Sequence, residues 1–244
     1  MRYHALIPAA GNGSRFRGDS PKQYWMLEGK PVLVHSLERL AAAFTLQQAY
    51  VAIAPGDRWY DQTIGARPGV TVLRCGGATR GETVRNALAA LNDVAADDWI
   101  LIHDAVRPCV DLASLSRLRE ELAGDAVGGL LALPVVGTLK RADTDGRSSA
   151  TEPREGLWSA QTPQMFRFGV LERALAATDA VRCTDEAQAV EALGMAPRLV
   201  PGNPSNLKIT YPDDLALAAA IMAVQNRAPN IAIAAPPILR DRAA

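Results

Sequence analysis

Short, continuously apolar runs recur along the chain, separated by stretches whose apolar residues return every three or four positions. YHALIP (3–8), AYVAIA (49–54), VTVLRC (70–75), WILIH (99–103) and VGGLLALPV (127–135) are the clearest runs. Their length and unbroken apolar character suit strands covered on both faces. Between them, Val32, Val34, Leu37, Leu40 and Ala41 share a helical face after Pro31, and TVRNALAAL (83–91) repeats the pattern. Leu112, Leu115, Leu118 and Leu122 form another stripe, with Asp111 placed to cap it. Strands alternating with helices predict an α/β fold, a Rossmann-like, mostly parallel sheet with helices on both faces.

The alternation breaks at residues 137–156, GTLKRADTDGRSSATEPREG. This stretch is too polar for a core, and its Asp145-Gly146 pair signals a hairpin turn. It reads as a β-arm projecting from the domain, and a second copy of the chain is the simplest surface for it to meet, which predicts a homodimer; a flexible lid acting within one subunit is the alternative. A helical TDEAQAVEALG (184–194), a strand-like PRLVP (197–201) and a helix from about Asp213 to Asn226 follow. Residues 1–227 therefore read as one domain carrying the arm. The Ala- and Pro-rich tail, 228–244, has no helical period and is left unassigned.

Charge narrows the partners. Lys plus Arg and Asp plus Glu both number 26, so no global field favours nucleic acid or an anionic membrane. No apolar run approaches the ~20 residues of a membrane span. The first residues lack the cationic and apolar segments of an export signal, and a cytoplasmic protein is expected. Cys75, Cys109 and Cys183 are too far apart for a zinc pattern and odd in number, which suits free thiols in a reducing compartment.

The candidate chemistry begins where the first strand ends, in PAAGNGSRF (8–16). Gly11 and Gly13 remove two β-carbons, so backbone N–H groups can approach phosphate oxygens. The loop lacks the third glycine of a dinucleotide fingerprint, because Phe16 stands there, and it lacks the Gly-Lys-Ser/Thr end of an ATP-binding loop. A tight turn leaving a strand accounts for the glycines alone. Arg15 and Lys22 add a fork of donors and a point charge, which together could cage a polyphosphate. GGATRGETV (76–84) reads as a strand end, a glycine pair and a helix N-terminus capped by Thr79. In HDAVRP (103–108), Asp104 and Arg107 fall at the carboxyl end of a strand, either as a structural pair or in the ligand crevice of such a sheet. His103 reads as a packed residue. Thr162, Thr184 and Lys208 read locally as two caps and a surface charge.

PAAGNGSRF followed by PKQY resembles the opening of the 2-C-methyl-D-erythritol 4-phosphate cytidylyltransferase family of the non-mevalonate isoprenoid pathway. GGATRGETV, HDAVRP, GLWSAQTPQ (156–164), TDEA (184–187) and NLKIT (206–210) continue the likeness in family order. Val106 stands where the family usually has alanine, and Ser205 lies near a position commonly acidic. The resemblance implies that a substrate phosphate attacks the α-phosphorus of CTP and pyrophosphate leaves, with Mg2+ bridging the phosphates. It implies that Arg15 and Lys22 stabilise the charge developing on the α-phosphoryl group. It assigns Ala9, Ala10, Gly11 and Gly13 to the triphosphate loop, and Gly77, Arg80 and Thr83 to the cytosine and ribose. Asp104 and Lys208 go to both nucleotide and acceptor, with Asp104 the candidate protein contact for the metal. Ala105, Arg107, Thr138, Arg154, Thr162 and Thr184 go to the sugar-alcohol phosphate, Thr138 and Arg154 reaching it across the dimer. Ribitol-5-phosphate cytidylyltransferases share the glycine-rich loop and PKQ, and a CTP-binding regulator without turnover would share the fold. Both stay as alternatives.

Overall fold

A computed structural model of the chain describes residues 1–11, 20–178 and 183–227. It begins with β1 (Tyr3–Pro8), a 3-10 turn (Lys22–Tyr24), β2 (Met26–Leu27), β3 (Lys30–Pro31), α1 (Val32–Ala43) and β4 (Leu46–Ala52). Next come α2 (Trp59–Thr63), β5 (Val70–Leu73), α3 (Arg80–Ala89), β6 (Trp99–Ile102), α4 (Leu112–Leu122) and β7 (Gly128–Pro134). The remainder is β8 (Leu139–Ala142), β9 (Ser148–Glu152), β10 (Trp158–Arg167), α5 (Phe168–Ala177), α6 (Glu186–Ala192), β11 (Arg198–Pro201) and α7 (Asp214–Arg227).

Seven strands form one sheet in the order β11-β7-β10-β6-β1-β4-β5. β1 pairs in parallel with β4 and β6, and β5 and β11 also join in parallel; only β10 is antiparallel to its neighbours β6 and β7. The expected mostly parallel α/β sheet is the one observed. Alternation along the strands divides the core in two. Ala5, Ile7, Trp99 and Leu101 face α1, α4 and α7, whereas Leu6, Ile100 and Ile102 face α3, α5 and α6. This explains why WILI is apolar at every position: all four side chains are fully buried. Ile100, Leu101 and Ile102 each contribute about 2 kcal/mol by leaving water.

Local signals set several boundaries. Asp111 caps α4 by accepting from Ser114 N at 2.8 Å, as the sequence predicts. Thr79 caps α3 in a reciprocal box: Glu82 N donates to Thr79 Oγ1 at 3.1 Å, and Thr79 N donates to Glu82 Oε2 at 3.0 Å. That cap starts α3 at Arg80, three residues before the apolar stripe begins. The cap of α6 differs from expectation. Asp185 rather than Thr184 occupies it, accepting from Gln188 N at 3.0 Å.

The polar stretch does form a hairpin outside the main sheet, β8 pairing among the described residues with β9 alone. Its turn is longer than a two-residue Asp145-Gly146 link. Asp143 N donates to Arg147 O, the Asp143 carboxylate collects two backbone N–H groups, and Gly146 supplies the left-handed residue at φ +77°. The tail, 228–244, lies outside the described residues.

Candidate active site

Six of the seven sheet strands point the same way, so the loops after β1, β5, β6 and β11 gather at one edge. There they enclose a cleft of about 560 Å3. Ala9, Ala10, Gly11, Lys22, Gly77, Arg80, Thr83, Asp104, Ala105 and Lys208 line it, from five separate stretches of chain. Gly13 and Arg15 lie outside the described residues.

Close approach explains the glycine pair. A β-carbon on Gly76 would lie 2.3 Å from Ala10 Cβ, and one on Gly77 would lie 2.5 Å from Glu82 Cβ. Glycine at 76 lets the loop after β5 press against the loop after β1, and glycine at 77 lets it fold back onto the first turn of α3. Gln23 braces the same loop from the other side, its Nε2 donating to Ala9 O at 2.8 Å and Gly11 O at 3.1 Å. Lys22, one residue earlier, donates from Nζ to Ile209 O at 2.8 Å, so its ammonium spans the cleft. Thr83 Oγ1 accepts from Gly77 N at 3.1 Å and donates to Thr79 O at 2.9 Å, which fixes the turn that opens α3.

Asp104 is the electrostatic centre. Arg80 Nε reaches its Oδ1 at 3.0 Å, Lys208 Nζ its Oδ2 at 2.8 Å, and Arg107 Nε approaches to 3.5 Å. Burial alone would push this carboxyl up; the three cations outweigh it and hold it far below the usual carboxylate range. Asp104 is therefore ionised throughout the physiological range. Arg80 is gripped a second time by Glu186, whose oxygens accept from Nη1 at 2.5 Å and Nη2 at 3.1 Å. Burial would lower this guanidinium, but Glu186 and Asp104 raise it instead.

Thr162 stands behind Asp104. Its Oγ1 accepts from Asp104 N at 3.0 Å and lies 3.0 Å from His103 Nδ1. The second ring nitrogen of His103 lies 3.1 Å from Arg107 O, an acceptor only. Nε2 therefore carries the proton, and Nδ1 accepts from the Thr162 hydroxyl. Both nitrogens are consumed in a neutral, fully buried ring, which matches the packed role read from sequence.

The model of the 2-C-methyl-D-erythritol 4-phosphate cytidylyltransferase family matches residues 3–224. The chain belongs to that family. A relative of that name from Dechloromonas aromatica is 53% identical over 224 residues, 91% of this chain and 97% of the relative. Another from Chromobacterium violaceum is 54% identical over 222 residues, covering 91% and 98%. A crystal structure of a 4-diphosphocytidyl-2C-methyl-D-erythritol synthase superposes with a TM-score of 0.80 at 43% identity, covering 91% of this chain and 98% of that one. The Francisella tularensis family structure gives 0.79 at 33% identity, with 91% and 100% covered.

Measured against the family motifs, the cleft brings together ten of the residues singled out in sequence. Arg107 and Thr162 stand directly behind it, bonded to Asp104 or its neighbours. Thr138, Arg154 and Thr184 do not line the cleft of their own chain. Arg154 Nη1 instead donates to Val136 O at the root of the arm, and Thr184 bonds Gln188 at the exposed start of α6. Sequence reading passed over Glu186, Gln161, Gln164 and Asn206, which are all buried. Their types are common on surfaces; all four lie inside the motif blocks GLWSAQTPQ, TDEA and NLKIT, and that membership was the one signal that could have found them.

The neutral His103 has a measurable consequence. Burial lowers it from 6.5 to about 4. Between those values the unfolded chain binds a proton that the folded chain does not, so stability falls as pH drops through that window. A shift of this size corresponds to roughly 3 kcal/mol. His4, also lowered by burial, pulls the same way; Asp98 and Asp104, held below the usual carboxylate range, join only toward pH 4, and Glu186, raised by burial, opposes the trend. Unfolding free energies from urea at about pH 7 and about pH 5 should differ by part of that amount, about 2 kcal/mol from His103, and His103→Gln should flatten the slope. An unchanged slope in that variant would transfer the effect to His4.

Proposed function

We propose that this protein transfers the cytidylyl group of CTP to 2-C-methyl-D-erythritol 4-phosphate, a step of isoprenoid precursor synthesis, and that it works as a cytoplasmic homodimer. The observation that carries the reading is the cleft itself, where family motifs from five stretches of chain converge around Lys22, Arg80, Asp104 and Lys208. The curated relatives at about half identity, named for that acceptor, support it over ribitol 5-phosphate. That no helix among the described residues is long and apolar enough to cross a membrane is compatible with it.

In this reaction an acceptor phosphate oxygen bonds to the α-phosphorus, and the bond from that phosphorus to the β-phosphate bridging oxygen breaks. Pyrophosphate keeps the electron pair. The attacking phosphate is already ionised at neutral pH, so no general base is required, in keeping with a histidine turned inward and fully hydrogen-bonded. Lys22 reaches across the cleft to where charge grows on the α-phosphoryl oxygens, and Arg15 joins it by family correspondence. Lys208 and Arg107 draw the acceptor phosphate, while Asp104 keeps their charges apart and oriented. Gly11 and the turn at Gly77 allow the triphosphate and ribose to approach the backbone.

The donor set also fits a magnesium ion that arrives with the nucleotide. Asp104, a carboxylate held ionised at the cleft, is the residue that would touch it. Phosphate oxygens and water would supply the remaining ligands, and the ion would screen the phosphate charge.

The arm belongs to this reading. It leaves the sheet after β7 and returns into β10, where Trp158 pairs with Pro134, and its strands find no third partner among the described residues. A lone two-stranded hairpin is marginal in water, so a neighbouring subunit supplies its support and receives Thr138 and Arg154 at its own cleft. Arg154→Ala should raise the KM for the sugar-alcohol phosphate and leave that for CTP unchanged. A defect confined to CTP, or a fully active monomer by light scattering, would refute this placement.

The deciding assay is pyrophosphate release with CTP and Mg2+, in parallel with methylerythritol 4-phosphate and ribitol 5-phosphate. Release with the first alone supports the proposal. Release with ribitol phosphate alone replaces the acceptor, and CTP binding with no release leaves the regulator.

A further inference from the structure

Strand β10 carries two buried glutamines, Gln161 and Gln164, on either side of Thr162-Pro163, and the reaction above uses neither. A buried amide brings a donor and an acceptor that must both be matched inside the protein. Gln161 matches them on the loop after β11. Its Nε2 donates to Asn203 O at 3.0 Å, and its Oε1 accepts from Asn206 Nδ2 at 3.3 Å. Asn206 also donates to Thr162 O at 2.8 Å, and its backbone carbonyl accepts from Arg107 Nη1 at 2.6 Å. Gly202 leaves room for this, because a β-carbon there would lie 2.3 Å from Gln161 Oε1. Two residues beyond Asn206 comes Lys208, on Asp104.

Gln164 matches its amide on a different element. Its Nε2 donates to Asp185 Oδ2 at 3.0 Å, and its Oε1 accepts from Ala187 N at 2.8 Å. Between those two anchored residues sits Glu186, which holds both ends of the Arg80 fork. One strand thus braces two walls of the cleft through two chains of contacts that meet at Asp104, one on each carboxylate oxygen.

We infer that Gln161 and Gln164 are positioning residues for opposite substrates. Gln161 acts through the 203–208 loop on Lys208 and Arg107, and so on the sugar-alcohol phosphate. Gln164 acts through Glu186 on Arg80, and so on the nucleotide. This rests on the cytidylyltransferase reading and extends it, since neither glutamine reaches the cleft. A role in general stability alone would weaken both substrates together; separate bracing weakens them one at a time.

The test uses the full chain with Gln161→Met and Gln164→Met, which keep approximate shape and lose the hydrogen bonds. Pyrophosphate release is measured while each substrate is varied in turn, and CTP affinity is measured by calorimetry. Gln161→Met should raise the KM for the sugar-alcohol phosphate about tenfold and leave CTP within about threefold; Gln164→Met should do the reverse. Equal shifts for both substrates in either variant, or no shift, would overturn the inference. If a methionine variant does not fold, Gln161→Glu or Gln164→Glu, which keeps an acceptor and loses the donated bond, takes its place under the same criteria. An inactive wild type would instead overturn the cytidylyltransferase reading. The calorimetric contrast, weaker CTP binding in the Gln164 variant alone, would then still decide the bracing.

Discussion

Lys22→Ala should lower the rate of cytidylyl transfer about a thousandfold while CTP affinity changes less than tenfold. Removing one preorganised donor from a developing oxyanion typically costs about 3–4 kcal/mol in the transition state. Lys22 is well placed for such a role. Pro21 precedes it with extended backbone, Gln23 follows and is tied to the opening loop, and the ammonium crosses the cleft to Ile209 O. A ground-state contact would act differently, raising the KM for CTP and leaving the maximal rate intact. Single-turnover rates beside calorimetric CTP binding separate the two cases. Unchanged turnover would remove Lys22 from the mechanism.

Asp104→Asn should be damaging in two ways at once. The carboxylate is 6% exposed and faces Arg80, Lys208 and Arg107, so neutralising it leaves three cations crowded without their counter-charge. Breaking a buried ion pair from one side costs about 3–5 kcal/mol. Lys208 is nearly half exposed and water screens part of its share, which puts the expected loss of unfolding free energy at the lower end, about 3 kcal/mol. Turnover should fall by at least about a hundredfold, because Lys208 and Arg107 lose the group that orients them. Denaturant midpoints at constant slope measure the first effect, and pyrophosphate release at a temperature where the variant is folded measures the second. A variant with wild-type stability would show that the three cations do not depend on Asp104.

Much of this architecture was legible in the chain. The runs at 3–8 and 99–103 became β1 and β6 because unbroken apolar sequence has few other uses in a domain of this size. The cap at Asp111, the exposed arm and the turn at the glycine pair followed from equally local chemistry. What escaped was β10. Its middle, QTPQ, is polar and contains a proline, which argues against a central strand. The register shows how it is accommodated. Ala160 pairs with Ala132 and Gln164 with Leu130, so four steps on β10 oppose two on β7 and the intervening residues bulge from the ladder. The hydrophobic rule fails there because side chains on β10 hold the cleft together. Glu186 was missed for a related reason. An acidic residue in the first turn of a helix ordinarily faces water, and only the fold brings Arg80 to it from over a hundred positions away.

The reversed direction of β10 also bears on how such an enzyme could diverge. Hydrogen-bonded on both sides, the strand cannot slide, because a one-residue slip would turn every side chain to the opposite face. Insertions and deletions, the usual currency of change at a substrate cleft, are excluded there. They are left to the exposed hairpin at 143–147, whereas selectivity written on β10 can change only by exchanging one side chain for another. A lineage could lengthen its arm freely, but altering what Gln161 and Gln164 support would require coordinated replacement of their partners at Asn206 and Asp185.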